Sequence, residues 1–171
     1  MSNKTLMKIM GFVAAAAGIA VCCMMFIPAI TTGGNNPTTY TGMNLAFGKV
    51  EVKLGDYSYG WQFSFGVLLA YVLPIASLVL MLLCVLGNKN GIKFILGCVS
   101  FACFVVSIIL LITARNMAVY HGALGDYNAT GYDMAIGLIL AIVFAAVGAL
   151  TSGTYTCLQL LKSSKSGKKH R

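Results

Sequence analysis

Four stretches of the chain contain no charged residue: 9–30, 61–86, 94–114 and 134–161. At about 1.5 Å of rise per helical residue, even the shortest reaches roughly 30 Å, the thickness of a bilayer's hydrocarbon core. Each reads as a transmembrane α-helix, and the longest must tilt or emerge from the core. Outer loops at 31–60 and 115–133, a short connection at 87–93 and a tail at 162–171 make up most of the remainder. The predicted fold class is an all-α membrane protein, a four-helix transmembrane bundle with a small extracellular antiparallel β-sheet from the first outer loop.

In that loop the period of the pattern changes. Thr31-Thr32-Gly33-Gly34-Asn35-Asn36-Pro37 is a turn-rich linker. Residues 38–41, rich in Thr and Tyr, read as a short strand. Lys49-Val50-Glu51-Val52-Lys53-Leu54 alternates, so Val50, Val52 and Leu54 point one way and Lys49, Glu51 and Lys53 the other. Gly42 and Asn44 allow a turn between the two segments. The expectation is a small antiparallel sheet with its apolar face on the helix ends. Its charged face either meets a partner or belongs to a lid over the bundle. A further strand is expected near 117–120 in the second loop.

Within the spans, small residues recur. Gly137, Ala141, Ala145, Ala149 and Gly153 are four apart and lie on nearly one helical face, and Gly11, Ala14, Ala15 and Gly18 form a weaker version. Small side chains let backbones approach closely, which drives helix association where lipid supplies no hydrophobic force. The stripe serves packing within the chain or contact with a partner or second copy. Pro74 should release the backbone hydrogen bond to Ala70 and bend the second span. Ser64, Ser77, Ser100, Ser107, Gln62 and Thr151 are polar groups suited to hydrogen bonds between helices.

Charge supplies an orientation. The N-terminal segment, the connection at 87–93 and the tail carry Lys4, Lys8, Lys89, Lys93, Lys162, Lys165, Lys168, Lys169 and Arg171 and no acidic residue. The two longer loops carry Lys49, Lys53 and Arg115 against Glu51, Asp56, Asp126 and Asp133. Basic residues accumulate on the cytoplasmic side, so both termini are expected there, in a cell membrane. Tyr57, Tyr59 and Trp61, with Tyr120, Tyr127 and Tyr132, suit the opposite headgroup layer. The first span lacks a small-x-small site after its apolar run and reads as uncleaved. The tail is expected to be disordered and drawn to anionic lipid, by roughly 1 kcal/mol per basic residue near the surface.

Composition agrees. The 171 residues are 58% hydrophobic and 9% charged, with a mean hydropathy of +0.85; a soluble domain has about 25% charged residues. The net charge of +8 sits at helix ends and in the tail, with no zinc-finger, helix-turn-helix or RNA-binding motif, so no nucleic-acid partner is expected. Cys22, Cys23, Cys84, Cys98, Cys103 and Cys157 all fall in apolar runs, without a CxxC pair, and read as packing residues.

Candidate chemistry is sparse. No ionisable acid–base group lies inside a span, where a proton-coupled carrier would need one. There is no HExxH, phosphate loop or Gly-x-Ser-x-Gly. His121 with Arg115, Asp126 and Asp133 is the only constellation for an acid–base or metal site, and a solvated loop is the simpler reading. No enzyme activity, cofactor, metal or catalytic residue is expected.

Four spans, inside termini, a long strand-bearing first outer loop and a shorter second one resemble the claudin-like architecture in topology. That family's first-loop signature, a Trp followed by Gly-Leu-Trp and a Cys pair, is absent here: no Trp precedes Trp61 in the loop and no Cys lies in it. Its junction-forming role is therefore not carried over. Phe26-Ile27-Pro28-Ala29, Tyr40-Thr41-Gly42, Leu45-Ala46-Phe47-Gly48 and Leu69-Ala70-Tyr71-Val72-Leu73-Pro74 also resemble small four-span membrane proteins of Gram-positive bacteria, a resemblance that implies no activity. The functional expectation is a non-enzymatic scaffold or accessory subunit. It would use Lys49, Glu51 and Lys53, or the stripe Gly137, Ala141, Ala145, Ala149 and Gly153, to meet another membrane protein or itself. The alternative is a small transporter or channel for an apolar or lipidic substrate, working at the Pro74 bend.

Overall fold

The structure, a computed structural model, describes residues 3–33, 37–55, 57–87 and 90–167. Part of the predicted linker (34–36), Asp56, Lys89 and the last four residues of the tail lie outside the described residues.

Four long helices dominate: α1 (Asn3–Met24), α3 (Phe65–Leu86), α4 (Asn90–Ile112) and α6 (Ile136–Gly167). Each is long and apolar enough to cross a membrane. α1 packs on α3 and α6, and α4 packs on the same two, which places the four helices in a ring. Glycines set the closest approaches. A Cβ on Gly18 would lie 2.5 Å from the Pro74 carbonyl oxygen of α3, and one on Gly148 would lie 2.4 Å from the Phe104 ring of α4. Between 28% and 39% of each helix's apolar window is buried. The outward remainder includes Phe12, Ile19, Val79, Leu83, Ile95, Ile109, Val143 and Leu150, all exposed.

Pro74 lies inside α3, which continues through it. Proline has no N–H, so the carbonyl of Ala70, four residues earlier, loses its helical partner. Ser107 of α4 supplies the replacement: its hydroxyl donates to the Ala70 carbonyl at 2.6 Å, with both residues fully buried. Ser77 and Ser100 join the same two helices by a short hydroxyl–hydroxyl bond. These serines bridge helices as expected. Thr151 does not, because its hydroxyl donates to the Val147 and Gly148 carbonyls of its own helix. Farther down the bundle, Tyr155 of α6 donates to the Cys84 carbonyl of α3, and Gln159 donates to the Tyr155 hydroxyl.

All strands lie at one end of the bundle, in two antiparallel sheets. β1 (Pro28–Thr31) lies between β2 (Thr39–Thr41) and β7 (Asp133–Met134). The second sheet has the order β3 (Lys49–Leu54), β4 (Tyr57–Trp61), β5 (Val119–Gly122), β6 (Gly125–Asn128). Each sheet draws strands from both long loops, so the loops fold as one layer.

Several expectations change. The first apolar run does not stay helical to residue 30: α1 ends at Met24, and β1 begins at Pro28, which cannot donate a helical hydrogen bond. The first loop's two predicted strands do not pair with each other. A short helix, α2 (Gly42–Phe47), separates them, with the Thr41 hydroxyl accepting from the Asn44 N–H as its N-cap. It buries Leu45 and Ala46, and its main contact is with α3. β2 therefore joins one sheet and β3 the other. The strand predicted near 117–120 begins at Val119, because Met117 closes the short helix α5 (Ala114–Met117). The tail, expected to be disordered, is helical as far as Gly167.

Candidate functional site

The surface with the most distinctive chemistry is the four-stranded sheet. Its anchor is Trp61, 4% exposed, at the end of β4. Trp61 makes edge-on contacts with Tyr40, Tyr120 and Tyr132, at ring centroid distances of 5.2, 5.3 and 5.4 Å. Tyr40 belongs to the other sheet, so this aromatic cluster fastens the two sheets together. Lys49 lies over the Tyr40 ring, 5.7 Å from its centroid. The Gln62 N–H donates to the Val119 carbonyl and the Ser64 N–H to the Ala46 carbonyl, carrying the sheet onto α3. Ser64 caps α3 and donates to the Met117 carbonyl at 3.0 Å.

Burial raises the phenol pKa values of Tyr40, Tyr120 and Tyr132, those of Tyr120 and Tyr132 to about 12. For Tyr120 the next cause is its hydrogen bond to Glu51, at 3.0 Å.

β3 is an edge strand, and all six of its residues are exposed. Val50, Val52 and Leu54 are 64%, 47% and 64% exposed. The expected apolar face resting on the helix ends is therefore not formed. A bulge between Val50 and Val52 also breaks the strict alternation of faces, since Lys49 stands opposite Trp61 and Val52 opposite Tyr59. Trp61 and Tyr59 are two apart on β4 and share a face, so an apolar and a charged β3 side chain share it too. Gly60 makes room for the bulge: a Cβ there would lie 2.0 Å from the Lys49 carbonyl oxygen.

β5 and β6 form a tight hairpin around Ala123-Leu124, with Gly122 opposite Gly125, His121 opposite Asp126 and Tyr120 opposite Tyr127. This register joins His121 Nδ1 to Asp126 Oδ1 at 2.5 Å, and Gln62 donates to the other carboxylate oxygen at 3.4 Å. His121 also stacks near Tyr59, at 6.4 Å. An open groove of about 300 Å³ runs beside it, lined by Val50, Ser58, Tyr59, Gly60, Trp61, Gln62 and His121. The His121 and Asp126 side chains are 51% and 53% exposed. Arg115 and Asp133 do not join them: Arg115 donates to the Tyr132 carbonyl, and Asp133 pairs with Thr31 in the other sheet. Among the described residues no three His, Cys, Asp or Glu side chains group as a metal site.

The small-residue stripe faces inward. Gly137, Ala141, Ala145 and Ala149 are buried, and a Cβ on Gly137 would lie 2.6 Å from the Pro28 carbonyl oxygen. Gly153 is half-buried, and a Cβ there would lie 3.3 Å from the Phe101 ring. The sheet order β3-β4-β5-β6 joins the exposed β3 edge and the His121 hairpin into one surface, which the pattern along the chain does not show. The available signal was the mirrored Tyr120-His121-Gly122 and Gly125-Asp126-Tyr127 about a two-residue turn.

No protein-family model, curated protein or solved structure matches the chain.

Proposed function

We propose that the chain is a multi-pass cell-membrane protein with both termini cytoplasmic, a non-enzymatic scaffold or accessory subunit. It presents the four-stranded sheet outside the membrane to another membrane protein or to a second copy of itself. Three features support the membrane placement: four helices of spanning length, apolar side chains turned outward along all four, and basic residues without acidic ones at the end opposite the sheets. The basic tail adds attraction to anionic lipid.

The observation that carries the functional reading is β3. A strand with exposed Val50, Val52 and Leu54 on an edge is a pairing surface, held by the aromatic cluster at Trp61. The alternative, transport of an apolar substrate at Pro74, has less support. The carbonyl that Pro74 frees is taken by Ser107, and Gly18 packs against the Pro74 carbonyl, so the break is filled by the protein's own groups.

The test is purification from membranes in mild detergent, comparing the parent chain with a variant carrying Val50→Ser, Val52→Ser and Leu54→Ser. A complex retained by the parent and lost by the variant, with unchanged thermal unfolding of the helices, is the expected result. A strictly monomeric parent with nothing bound would refute the proposal.

A further inference from the structure

We infer that the exposed face of α2, with the phenylalanines beside it, is a lipid contact. α2 is set into the membrane leaflet on the sheet side, and the occupant of its open face is acyl chain, not protein. The inference rests on the membrane placement of the four helices and is independent of the docking reading of β3.

α2 lies beside the sheet-side ends of α1 and α3, not above them. Gly42 opens α2 against the ring of Tyr71, where an added Cβ would lie 2.8 Å from the phenol oxygen. Tyr71 stands in the second turn of α3, and a long helical side chain leans back over the turn that precedes it. The Met43 N–H donates to the Met25 carbonyl at 2.9 Å, one residue past the end of α1. The Ala46 carbonyl accepts from the N–H of Ser64, the N-cap of α3, at 3.0 Å. These bonds also meet the demand that hydrocarbon makes of a backbone. Where water does not reach, the free N–H and C=O groups at a helix end need partners within the protein. Met43 finds Met25, Asn44 finds the Thr41 hydroxyl and Ala46 finds Ser64, so both ends of α2 are tied to the chain itself.

The side chains select the occupant. α2 buries Gly42, Leu45 and Ala46. Its exposed residues are Met43 and Phe47, four apart on one face, while Asn44 is half-buried. The next residue, Gly48, lies against the Phe63 backbone, where a Cβ would stand 3.2 Å from the nitrogen. Phe63 and Phe65 are 58% and 63% exposed, and Phe26, just past α1, is 64% exposed. Phe65 heads a row with Val72, Val79 and Leu86, all exposed and seven apart, hence nearly on one side of α3. In a spanning helix that row faces lipid, and Phe65 and Phe63 carry it on to α2. Tyrosine and tryptophan suit the headgroup level because each has a polar tip; phenylalanine has none and belongs on the hydrocarbon side. No charged residue occurs between Lys8 and Lys49, so the first charge after α1 enters only where α2 has ended. The hydrocarbon boundary falls between Phe47 and Lys49, with β3 on its aqueous side.

Tryptophan fluorescence of the purified chain in liposomes of brominated phosphatidylcholine tests this, with Trp61, the one native tryptophan, as the background. Phe47→Trp should lose more of its added emission to lipid brominated high on the acyl chain than to lipid brominated near the chain end. Val79→Trp, near mid-span, should show the reverse order, and Val52→Trp should lose little to either. Met43→Trp gives a second measurement of α2 should Phe47→Trp fail to fold. In native membranes, a phospholipid with a photoreactive group high on its acyl chain should attach to residues 43–47 of the parent chain.

Losses at Phe47→Trp and Met43→Trp as small as at Val52→Trp, with Val79→Trp quenched, would overturn the inference and spare the membrane placement. No quenching at Val79→Trp would overturn both. Strong quenching at Val52→Trp would put β3 in lipid and overturn the docking reading alone. In native membranes, cross-linking of Phe47→Cys to another protein or to a second copy, with no lipid attached at 43–47, would overturn lipid as the occupant.

Discussion

Removing the Ser107 hydroxyl isolates the device that lets a proline sit in the middle of α3. Ser107→Ala leaves the Ala70 carbonyl without its 2.6 Å donor, and both residues are 0% exposed, so no water replaces it. A buried polar group stripped of its partner costs about 1–3 kcal/mol in water-soluble proteins. Hydrogen bonds between helices in membranes measure lower, averaging about 0.6 and reaching about 1.7 kcal/mol. Because the Ala70 carbonyl lacks its helical partner as well, Ser107→Ala should cost about 1.5 kcal/mol, near the upper membrane value. The decisive step is a second background. Pro74→Ala returns an N–H at position 74, which can donate to the same carbonyl. In that background Ser107→Ala should cost only about 0.5 kcal/mol, the scale of an ordinary hydrogen bond in this setting. The assay is reversible unfolding of all four chains of the double-mutant cycle in mixed detergent micelles. Equal costs in the two backgrounds would show that Ser107 does not compensate for Pro74.

Three further outcomes follow from local geometry. Tyr71→Phe should be neutral or stabilising by up to about 1 kcal/mol, since the Tyr71 hydroxyl is buried against Gly42 with no hydrogen-bond partner among the described residues; thermal unfolding in detergent checks this. Gly60→Ala should loosen β3 from β4, because its Cβ would strike the Lys49 carbonyl; hydrogen exchange should quicken in 49–61 and stay unchanged in the four long helices. High pH should weaken the layer of sheets. Burial, then the Glu51 hydrogen bond, lifts the Tyr120 phenol from 10 to about 12, so the folded state keeps that proton longer than the unfolded chain. Its contribution is intact below pH 10 and is lost as pH rises through 12. Near-ultraviolet circular dichroism between pH 8 and 12.5 should show a smaller loss in Tyr120→Phe than in the parent, and identical profiles would contradict the assignment.

The sequence by itself determined the four helices, because charge-free runs of more than twenty residues admit few other structures. It also determined that serines in those runs need partners and that Pro74 frees a carbonyl. Which serine answers it was a matter of packing: Ser107 stands 37 residues from Ala70 and meets it only where α3 and α4 cross. The alternation in Lys49–Leu54 announced a strand but carried no information about its neighbour. Period two fixes which side chains share a face only while the ladder is regular, and the bulge accommodated by Gly60 reassigns them. The stripe on α6 was legible as a close-packing face, yet only the fold showed that α6 turns most of it toward its own chain. His121 and Asp126 were visible as residues, and tertiary structure decided which carboxylate the histidine meets. The β5–β6 turn sets Asp126 directly across from it, while pairing with β1 carries Asp133 into the other sheet. Local pattern encodes the elements, whereas the β3 edge exists because α2 diverts the chain and sends β2 and β3 to different sheets.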